Sequence, residues 1–266
     1  MKDLVAHFGL KRFPFDKTLR TREAVETAPL RECTARLDFI KRRGGIMLLT
    51  GDPGVGKTLA LRRFADQLND NLFRPLYTPL STLNRVDLLR HINDRLGLPR
   101  RATKSAMYAQ IQRELLDSRE QKGRTVVLII DEAHLLQVGP LQELRLLTNF
   151  KMDSFDPFIL ILAGQTDLKR VMDYSVLESF AQRLALRYHM GPLSVTETGT
   201  YVTSQLELAG ATEPIFDDGA VGALHQVSYG LPRRIGAVAE QAMTYAMFDD
   251  RRCVDADVVL KAQAPG

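Results

Sequence analysis

The stretch Ile46-Met-Leu-Leu-Thr-Gly-Asp-Pro-Gly-Val-Gly-Lys-Thr58 decides the fold of this 266-residue chain. Its first five residues have the pattern of a buried strand, residues 51–58 match G-x-x-x-x-G-K-T, and residues 59–69 place apolar side chains at helical spacing. In such a strand, loop and helix, backbone N–H groups and the helix N-terminus surround phosphate oxygens. The sequence therefore predicts a nucleotide-binding α/β domain.

The glycine-rich loop predicts the contacts with ATP and Mg²⁺. We expect Lys57 to contact the β and γ phosphates and Thr58 to ligate Mg²⁺. The residues expected to contact the nucleotide here are Gly51, Asp52, Pro53, Gly54, Val55, Gly56, Lys57, Thr58 and Leu59.

A pair of carboxylates follows a second buried strand pattern at residues 126–130. We expect Asp131 to hold Mg²⁺ through water and Glu132 to polarise the attacking water. Two acids at a strand end are also compatible with a solvated strand end. With Ala133 and His134 the motif reads DEAH, the signature of helicases with two motor domains, but the chain has room for one. We interpret His134 as structural.

The rest of the chain alternates strands and helices and then becomes helical. Strands separated by helices predict a parallel sheet covered on both faces. We predict a nucleotide-binding α/β domain at 1–191, which includes an N-terminal segment and helix at 1–44, and a small all-helical lid at 192–266. The predicted strands are 45–50, 74–80, 125–131, 158–164 and 183–190.

Composition and charge indicate an ordinary globular protein. Hydrophobic residues make up 45% of the chain, charged residues make up 26%, and the formal net charge is +4 at pH 7. This small excess favours an acidic partner only weakly. The apolar runs VVLII (126–130) and FILILA (158–163) are too short to span a bilayer, and the N-terminus lacks a signal-peptide pattern. We expect a cytoplasmic protein with no membrane contact.

Several segments together resemble the ExeA-like and TniB/TnsC/MuB-like AAA+ ATPases. They are the glycine-rich loop, LIIDEAH (128–134), LQELRLLTNF (141–150), FILILAGQ (158–165), AQRLALRYHM (181–190) and GLPRRI (230–235). The resemblance implies a P-loop AAA+ domain with a five-stranded parallel sheet flanked by helices and followed by the lid. HFGLKRFPFD (7–16) also resembles the N-terminal segment of ExeA-like ATPases, which implies that Phe15 lies close to the adenine pocket.

The resemblance also implies roles for individual polar residues. Gln165 matches sensor 1, which orients water near the γ-phosphate. Arg183 falls where related ATPases carry the arginine finger that reaches a neighbour's ATP, with Arg187 as the alternative. Arg233 matches sensor 2, the lid arginine that contacts the γ-phosphate, with Arg234 as the alternative. An arginine at a helix surface is otherwise usually just solvated.

Basic residues after the second strand form a candidate DNA-binding cluster. TnsC-like relatives grip duplex DNA from this region, so the resemblance implies contacts with the DNA backbone, with strong salt dependence and little sequence preference. A solvated charge run is the alternative for each residue. The candidate DNA contacts are Arg85, Arg100, Arg101, Thr103 and Lys104.

Three functions remain open. In the first, ATP drives assembly of a ring or helical homo-oligomer on duplex DNA, which recruits a transposase. The second is an ExeA-like secretion ATPase, a group that carries a membrane span and a peptidoglycan-binding segment after the ATPase domain. The chain ends at Gly266 with neither, which favours the first function. The third is a nucleotide-state switch with little turnover, against which Glu132 argues.

Overall fold

The computed structural model describes residues 3–16, 21–79 and 83–263. Their contacts form two compact units. The sheet unit comprises residues 33–52 and 57–190, and the helical unit comprises the described parts of 1–32, 53–56 and 191–266. The chain begins in the helical unit with a short helix, α1 (Leu4–His7). The predicted domain boundary after residue 191 stays a prediction.

Five parallel strands build the sheet unit, in the order β2-β3-β4-β1-β5. The three inner strands are buried along their whole length, as their continuous runs of Ile, Leu and Val predict for strands covered on both faces. The predicted five-stranded parallel sheet is confirmed; Leu80, predicted as the end of the second strand, lies outside the described residues. The strands are β1 (Gly45–Gly51), β2 (Phe73–Pro79), β3 (Thr125–Asp131), β4 (Phe158–Gly164) and β5 (Leu184–Met190).

The two edge strands differ from the inner strands in composition and exposure. β2 contains Pro75 and Pro79, and much of it is only partly buried. β5 has an alternating pattern, with Arg187 and His189 exposed. Edge strands are covered by fewer neighbours, so their sequences need not be continuously apolar.

Helices flank the sheet, and two of them, which start at Arg85 and Lys104, begin with side-chain caps. Asn84 Oδ1 accepts hydrogen bonds from the backbone N–H of Val86 and Asp87, and Thr103 Oγ1 accepts one from Ala106 N. These caps satisfy N–H groups that have no partner within the helix. The helices are α2 (Ala28–Arg43), α3 (Lys57–Asp66), α4 (Arg85–Arg95), α5 (Lys104–Glu120), α6 (Val138–Leu147), α7 (Asp167–Met172) and α8 (Glu178–Ala181).

The C-terminal part of the helical unit contains four helices around an apolar core. The first of them opens with a capping box, in which Ser194 Oγ accepts a hydrogen bond from Glu197 N (3.2 Å) and Glu197 Oε2 accepts one from Ser194 N (2.8 Å). The same helix ends at Gly210, where φ is 103°. The helices are α9 (Val195–Ala209), α10 (Asp218–Ser228), α11 (Pro232–Phe248) and α12 (Ala256–Lys261).

The N-terminal segment packs in this helical core. Leu4 and Leu10 are buried there, and Phe15 packs against the same cluster. The sequence predicts that this segment belongs to the nucleotide-binding domain, whereas its apolar side chains lie among those of the C-terminal helices. Within the described ranges, none of the helices is long and apolar enough to cross a membrane.

Candidate nucleotide-binding site

Lys57 is anchored inside the glycine-rich loop. It is the first residue of α3 and is only 6% exposed. Its Nζ donates hydrogen bonds to the carbonyl oxygens of Gly51 (2.7 Å) and Asp52 (3.0 Å). These contacts compensate the cost of burying an ammonium group. They place its positive charge in the loop that the motif assigns to phosphate.

The tip of the loop requires a glycine at position 54. Gly54 has φ +88°, and a Cβ there would lie 2.9 Å from the Cβ of Arg233. The carbonyl oxygen of Gly54 also accepts a hydrogen bond from Arg233 N (3.3 Å). Within the helical unit, the loop tip therefore lies directly against the start of α11, where the predicted sensor 2 arginine is located.

Arg234, the alternative sensor 2 residue, is held elsewhere in the helical unit. Its guanidinium donates a hydrogen bond to the carbonyl oxygen of Val227 (3.1 Å) and lies over the ring of Tyr229, 4.9 Å from its centroid. Arg233 is exposed beside Gly54. This geometry favours Arg233 over Arg234 for the predicted role.

Asp131 is the centre of a hydrogen-bonded cluster at the end of β3. It is 2% exposed, and its Oδ2 accepts hydrogen bonds from Thr58 Oγ1 (2.8 Å) and Tyr77 Oη (2.9 Å). Its Oδ1 accepts one from Glu132 N (2.9 Å). A hydroxyl and a carboxylate this close are oxygen ligands of the kind that Mg²⁺ prefers. The two predicted metal residues therefore lie together and fit the ion.

Sequence reasoning missed Tyr77. Burial and the hydrogen bond to Asp131, reinforced by the charges of Asp131 and Glu132, raise the pKa of Tyr77 far above its usual value. The hydroxyl therefore stays protonated and donates to the carboxylate. The available signal was a tyrosine near the end of a strand, but the sequence did not reveal that β2 lies beside β3.

Glu132 has a left-handed backbone conformation immediately after β3. Its φ is 55° and ψ is 31°, and its side chain is half exposed. A non-glycine residue in this region costs about 1–3 kcal/mol and occurs often at functional sites. The bend directs the chain from β3 into a 3₁₀ turn, Ala133–Leu135.

His134 links this turn to the end of β4. Its Nδ1 accepts a hydrogen bond from Gln165 N (3.4 Å) and lies 3.5 Å from Glu132 Oε2. His134 thus lies between the predicted catalytic acid and the predicted sensor 1 position, and its structural role stays a prediction.

The loop after β4 also contacts the start of the glycine-rich loop. Thr166 Oγ1, next to Gln165, donates a hydrogen bond to Asp52 Oδ1 (3.2 Å). Gly164 precedes them, and a Cβ there would lie 3.0 Å from His134 N. Within the sheet unit, the ends of β1, β3 and β4 therefore bring the predicted phosphate, water and sensor residues together.

The two candidate arginine fingers have different surroundings. Arg183 is half buried, and one of its guanidinium nitrogens donates to Thr148 Oγ1 (3.0 Å). Arg187 is exposed; its guanidinium donates to the carbonyl oxygen of Ala181 (3.0 Å) and lies 3.8 Å from Asp173. Neither arrangement tests a role at a neighbouring subunit, so that role stays a prediction.

Phe15 lies among α9 and α11 of the helical unit. Its ring centroid is 6.3 Å from that of Tyr201, and a Cβ on Gly236 would lie 3.0 Å from its own Cβ. Tyr201 also lines a cavity of about 250 Å³, bounded by residues 25–28, Arg31, Glu197 and Thr200. The predicted proximity of Phe15 to adenine stays a prediction.

The candidate DNA contacts divide into two groups. Arg85 donates to Gln142 Oε1 (2.8 Å) and Lys104 Nζ to Glu143 Oε1 (2.6 Å), so both contact α6 at successive residues. Thr103 caps α5 beside Lys104. The second group follows α4: Arg101 donates to Gln110 Oε1 on α5, and Arg100 Nε lies 3.9 Å from Asp94.

The two cations that contact α6, Arg85 from α4 and Lys104 from α5, differ in whether a carboxylate compensates their charge. Glu143 is 2% exposed, so the ammonium of Lys104 compensates a buried carboxylate. Arg85 is bonded to the neutral amide of Gln142, which does not compensate the charge of the guanidinium. Of these two, Arg85 is therefore the better candidate for a phosphate contact.

Comparison with known proteins identifies the family. Residues 40–172, half of the chain, match the family model described as AAA domain. The chain belongs to the AAA domain family. The matched region of this AAA domain protein contains the glycine-rich loop, Asp131, Glu132 and Gln165, in agreement with the P-loop ATPase fold that the sequence predicts.

Two curated relatives carry different names. General secretion pathway protein A of Aeromonas hydrophila is 33% identical over 259 residues, which cover 96% of this AAA domain protein and 47% of the relative. ATP-dependent target DNA activator B of Escherichia phage Mu is 32% identical over 126 residues, which cover 46% of this chain and 37% of the relative. The chain thus spans less than half the length of these relatives. The predicted resemblance to both groups is confirmed.

Solved structures support the fold of this AAA domain protein. The Aeropyrum pernix ORC2 protein has a TM-score of 0.66 at 17% identity and covers 93% of this chain and 69% of its own. Drosophila ORC bound to DNA has a TM-score of 0.64 at 22% identity, with coverages of 94% and 66%. The Thermotoga maritima RuvB Holliday junction branch migration motor has a TM-score of 0.59 at 20% identity, with coverages of 94% and 72%.

Proposed function

We propose that this protein binds Mg-ATP and hydrolyses it. The supporting observation is the cluster in the sheet unit, where Thr58 bonds to the buried Asp131 and Lys57 is fixed in the adjoining loop. Lys57 would donate to phosphate oxygens in place of the loop carbonyls, and Thr58 and Asp131 would hold the ion. Mg²⁺ supplies charge neutralisation on the phosphates when it is bound.

Glu132 is the proposed general base. Its carboxylate is half exposed and therefore accessible to water, and it lies 3.5 Å from His134, which in turn accepts a hydrogen bond from Gln165 N. It would accept the proton of the attacking water, and Gln165 would orient that water. In the helical unit, Arg233 beside Gly54 is the proposed sensor of the phosphate state.

The Glu132→Gln variant separates an enzyme from a nucleotide-state switch. The amide keeps the size of the side chain and removes the base, so we expect nucleotide affinity to persist while ATP turnover falls by about a hundredfold or more. Phosphate release and nucleotide binding would be measured on the same preparations. An unchanged turnover would refute the role of Glu132, and no turnover in the unmodified protein would favour the switch.

We further propose that ATP drives assembly of this protein on duplex DNA and that the assembly recruits a transposase. Support comes from the similarity to ATP-dependent target DNA activator B of phage Mu and from the charge of Arg85 at the start of α4. In this proposal Arg183, or else Arg187, completes the ATP site of a neighbouring copy. Phosphate contacts of this kind bind DNA with little sequence preference.

A secretion-associated ATPase is the second candidate function. The specific observation in its favour is the similarity to General secretion pathway protein A, which extends over 96% of the chain, against 46% for the phage Mu protein. This candidate shares the proposed ATP site but predicts no dependence on DNA.

Fluorescence anisotropy with duplex DNA distinguishes the two candidates. Binding would be measured with ATP, ADP and a slowly hydrolysed ATP analogue across a salt series. The DNA proposal predicts tight binding only with the triphosphates and a steep loss of affinity as salt rises. Binding to DNA in none of these states would contradict it and favour the secretion-associated function, leaving the ATP site unaffected.

A further inference from the structure

The carboxylate of Asp131 is held by donors from two different elements. Thr58 lies on α3 and Tyr77 on β2, and both donate to Oδ2. The N–H of Glu132 occupies Oδ1. Because both oxygens accept hydrogen bonds, and Oδ2 accepts two, these donors restrain the orientation of the carboxylate.

The position of Tyr77 follows from strand register. β2 pairs with β3 so that Tyr77 lies opposite Ile129 and Pro79 opposite Asp131. Tyr77 is therefore two residues before the partner of Asp131, and its long ring carries the hydroxyl toward the strand end. A tyrosine ring has few rotatable bonds and is half buried here, so it holds its hydroxyl in place at low entropic cost.

Thr58 alone would not fix the carboxylate for metal binding. The Thr58 hydroxyl has one proton, which it donates to Asp131, and its lone pairs remain for the ion. Glu132 N holds the other oxygen, Oδ1, and the Tyr77 hydroxyl adds a second donor to Oδ2 from a different element, which restrains the side chain further. Partners of this kind orient metal-binding groups, and their loss typically costs about 10–100-fold in metal affinity.

We propose that Tyr77 is a positioning residue for Mg²⁺, because its hydroxyl holds Asp131 in the orientation required beside Thr58. The inference rests on the proposed binding of Mg-ATP. Tyr77 contacts Asp131 and acts through it, so its removal changes the response to Mg²⁺ and leaves binding of metal-free nucleotide intact.

The experiment uses the full chain and a fluorescent ATP analogue as the probe. Affinity is measured in EDTA and across a Mg²⁺ titration for the unmodified protein, Tyr77→Phe and Tyr108→Phe. Tyr108 is the matched control because its hydroxyl donates a comparable hydrogen bond (2.8 Å) to the carbonyl oxygen of Leu146, away from the cluster. For Tyr77→Phe we expect equal affinity in EDTA and a half-saturating Mg²⁺ concentration about tenfold higher. Tyr108→Phe should match the unmodified protein.

Three outcomes of these titrations would contradict the role of Tyr77 or the metal assignment. A Mg²⁺ midpoint for Tyr77→Phe within twofold of the unmodified protein would overturn the positioning role. Affinity lost equally in EDTA and in Mg²⁺ would also overturn it, because that result indicates a general structural effect. If the unmodified protein binds the nucleotide with no response to Mg²⁺, the metal assignment of Thr58 and Asp131 fails as well, and only this outcome contradicts the proposed function.

Discussion

One buried cation, Lys57, is central to the phosphate binding proposed for this protein. Lys57 is held by two loop carbonyls, which phosphate oxygens would replace in the proposed complex with ATP. The proposed phosphate contact therefore depends on the single ammonium group of Lys57 and on the loop backbone that surrounds it.

We expect Lys57→Ala to lower nucleotide affinity by about a hundredfold or more, because several charge-assisted hydrogen bonds to phosphate are lost together. Binding of a fluorescent ATP analogue would measure the change, and circular dichroism would verify the fold. Lys169→Ala, which removes an exposed lysine of α7, is the control. Wild-type affinity in Lys57→Ala would refute the phosphate assignment of the loop.

Arg85 and Lys104 should differ in their effect on DNA binding. Arg85→Gln removes a net charge, so we expect the slope of log affinity against log salt to fall by about 1. Lys104→Gln should change the slope less, because Lys104 already compensates the buried Glu143. The salt series described above measures both slopes. A larger change for Lys104 would contradict the charge assignment.

Lys104→Gln should instead destabilise the fold. It leaves Glu143 buried without its charged partner, although Lys104 is 43% exposed and water screens part of the cost. We expect a loss of about 1–3 kcal/mol in the free energy of unfolding, measured by urea denaturation. The double variant Lys104→Gln/Glu143→Gln should recover much of it, and failure to do so would show that the pair is not the cause.

At this scale the motifs singled out Lys57, Thr58 and Asp131, and the structure shows Lys57 enclosed in the loop and Thr58 bonded to Asp131, while their roles toward ATP and Mg²⁺ stay predictions. The motifs did not predict the bond of Tyr77 with Asp131, 54 residues away, or of Lys104 with Glu143, 39 residues away. Such pairs depend on which strands and helices become neighbours, and a single sequence carries no local signal of that.

Among the elements, the junction before α11 depends most clearly on one residue. Gly230 has φ +68°, and a Cβ there would overlap the carbonyl oxygen of Leu193. The backbone also needs this close approach, because Leu193 N donates to the carbonyl oxygen of Gly230 (2.8 Å). The left-handed backbone conformation and the close approach of the Leu193 carbonyl both therefore exclude a residue with a side chain at position 230.

Gly230→Ala should lower the free energy of unfolding by about 2 kcal/mol or more, from backbone strain and displaced packing. Gly222→Ala is a matched control within α10, where a Cβ would meet no atom within 4 Å. It should stabilise the protein by about 0.5–1 kcal/mol because alanine favours the helix. Thermal and urea unfolding would report both. Equal effects of the two substitutions would contradict this account of Gly230.

The strands were predicted within one residue at each end, because continuous apolar runs and flanking breaks are strong local signals. The helical character of the part after residue 191 was also predicted, and α9 to α12 lie there. The short helices α7 and α8, of 6 and 4 residues, were not predicted, since two turns or fewer give no periodicity to detect. The packing of the N-terminal segment with the helical core was also missed, because its few apolar residues have no periodic pattern that predicts which element they contact.

For the whole molecule, the decisive prediction concerns assembly. We expect Arg183→Ala to bind nucleotide normally and to lose ATP turnover and ATP-dependent assembly, because a neighbour's site would lack its cation. Light scattering after size exclusion, with the slowly hydrolysed analogue, would measure assembly.

Thr148→Val is the control for this experiment, because it removes the hydrogen bond of Arg183 within the same chain while the arginine remains. It should retain both turnover and assembly. Normal turnover in Arg183→Ala would transfer the finger role to Arg187, which the corresponding alanine variant would then test.

Both edges of the sheet are poorly suited to pairing with another chain. In β2, Pro75 and Pro79 have no N–H to donate to an added strand, and β5 exposes the charge of Arg187. Copies of this protein should therefore associate through side chains and not by extending the sheet. In the proposed assembly on DNA, neighbouring copies would then offer no template for cross-β aggregation.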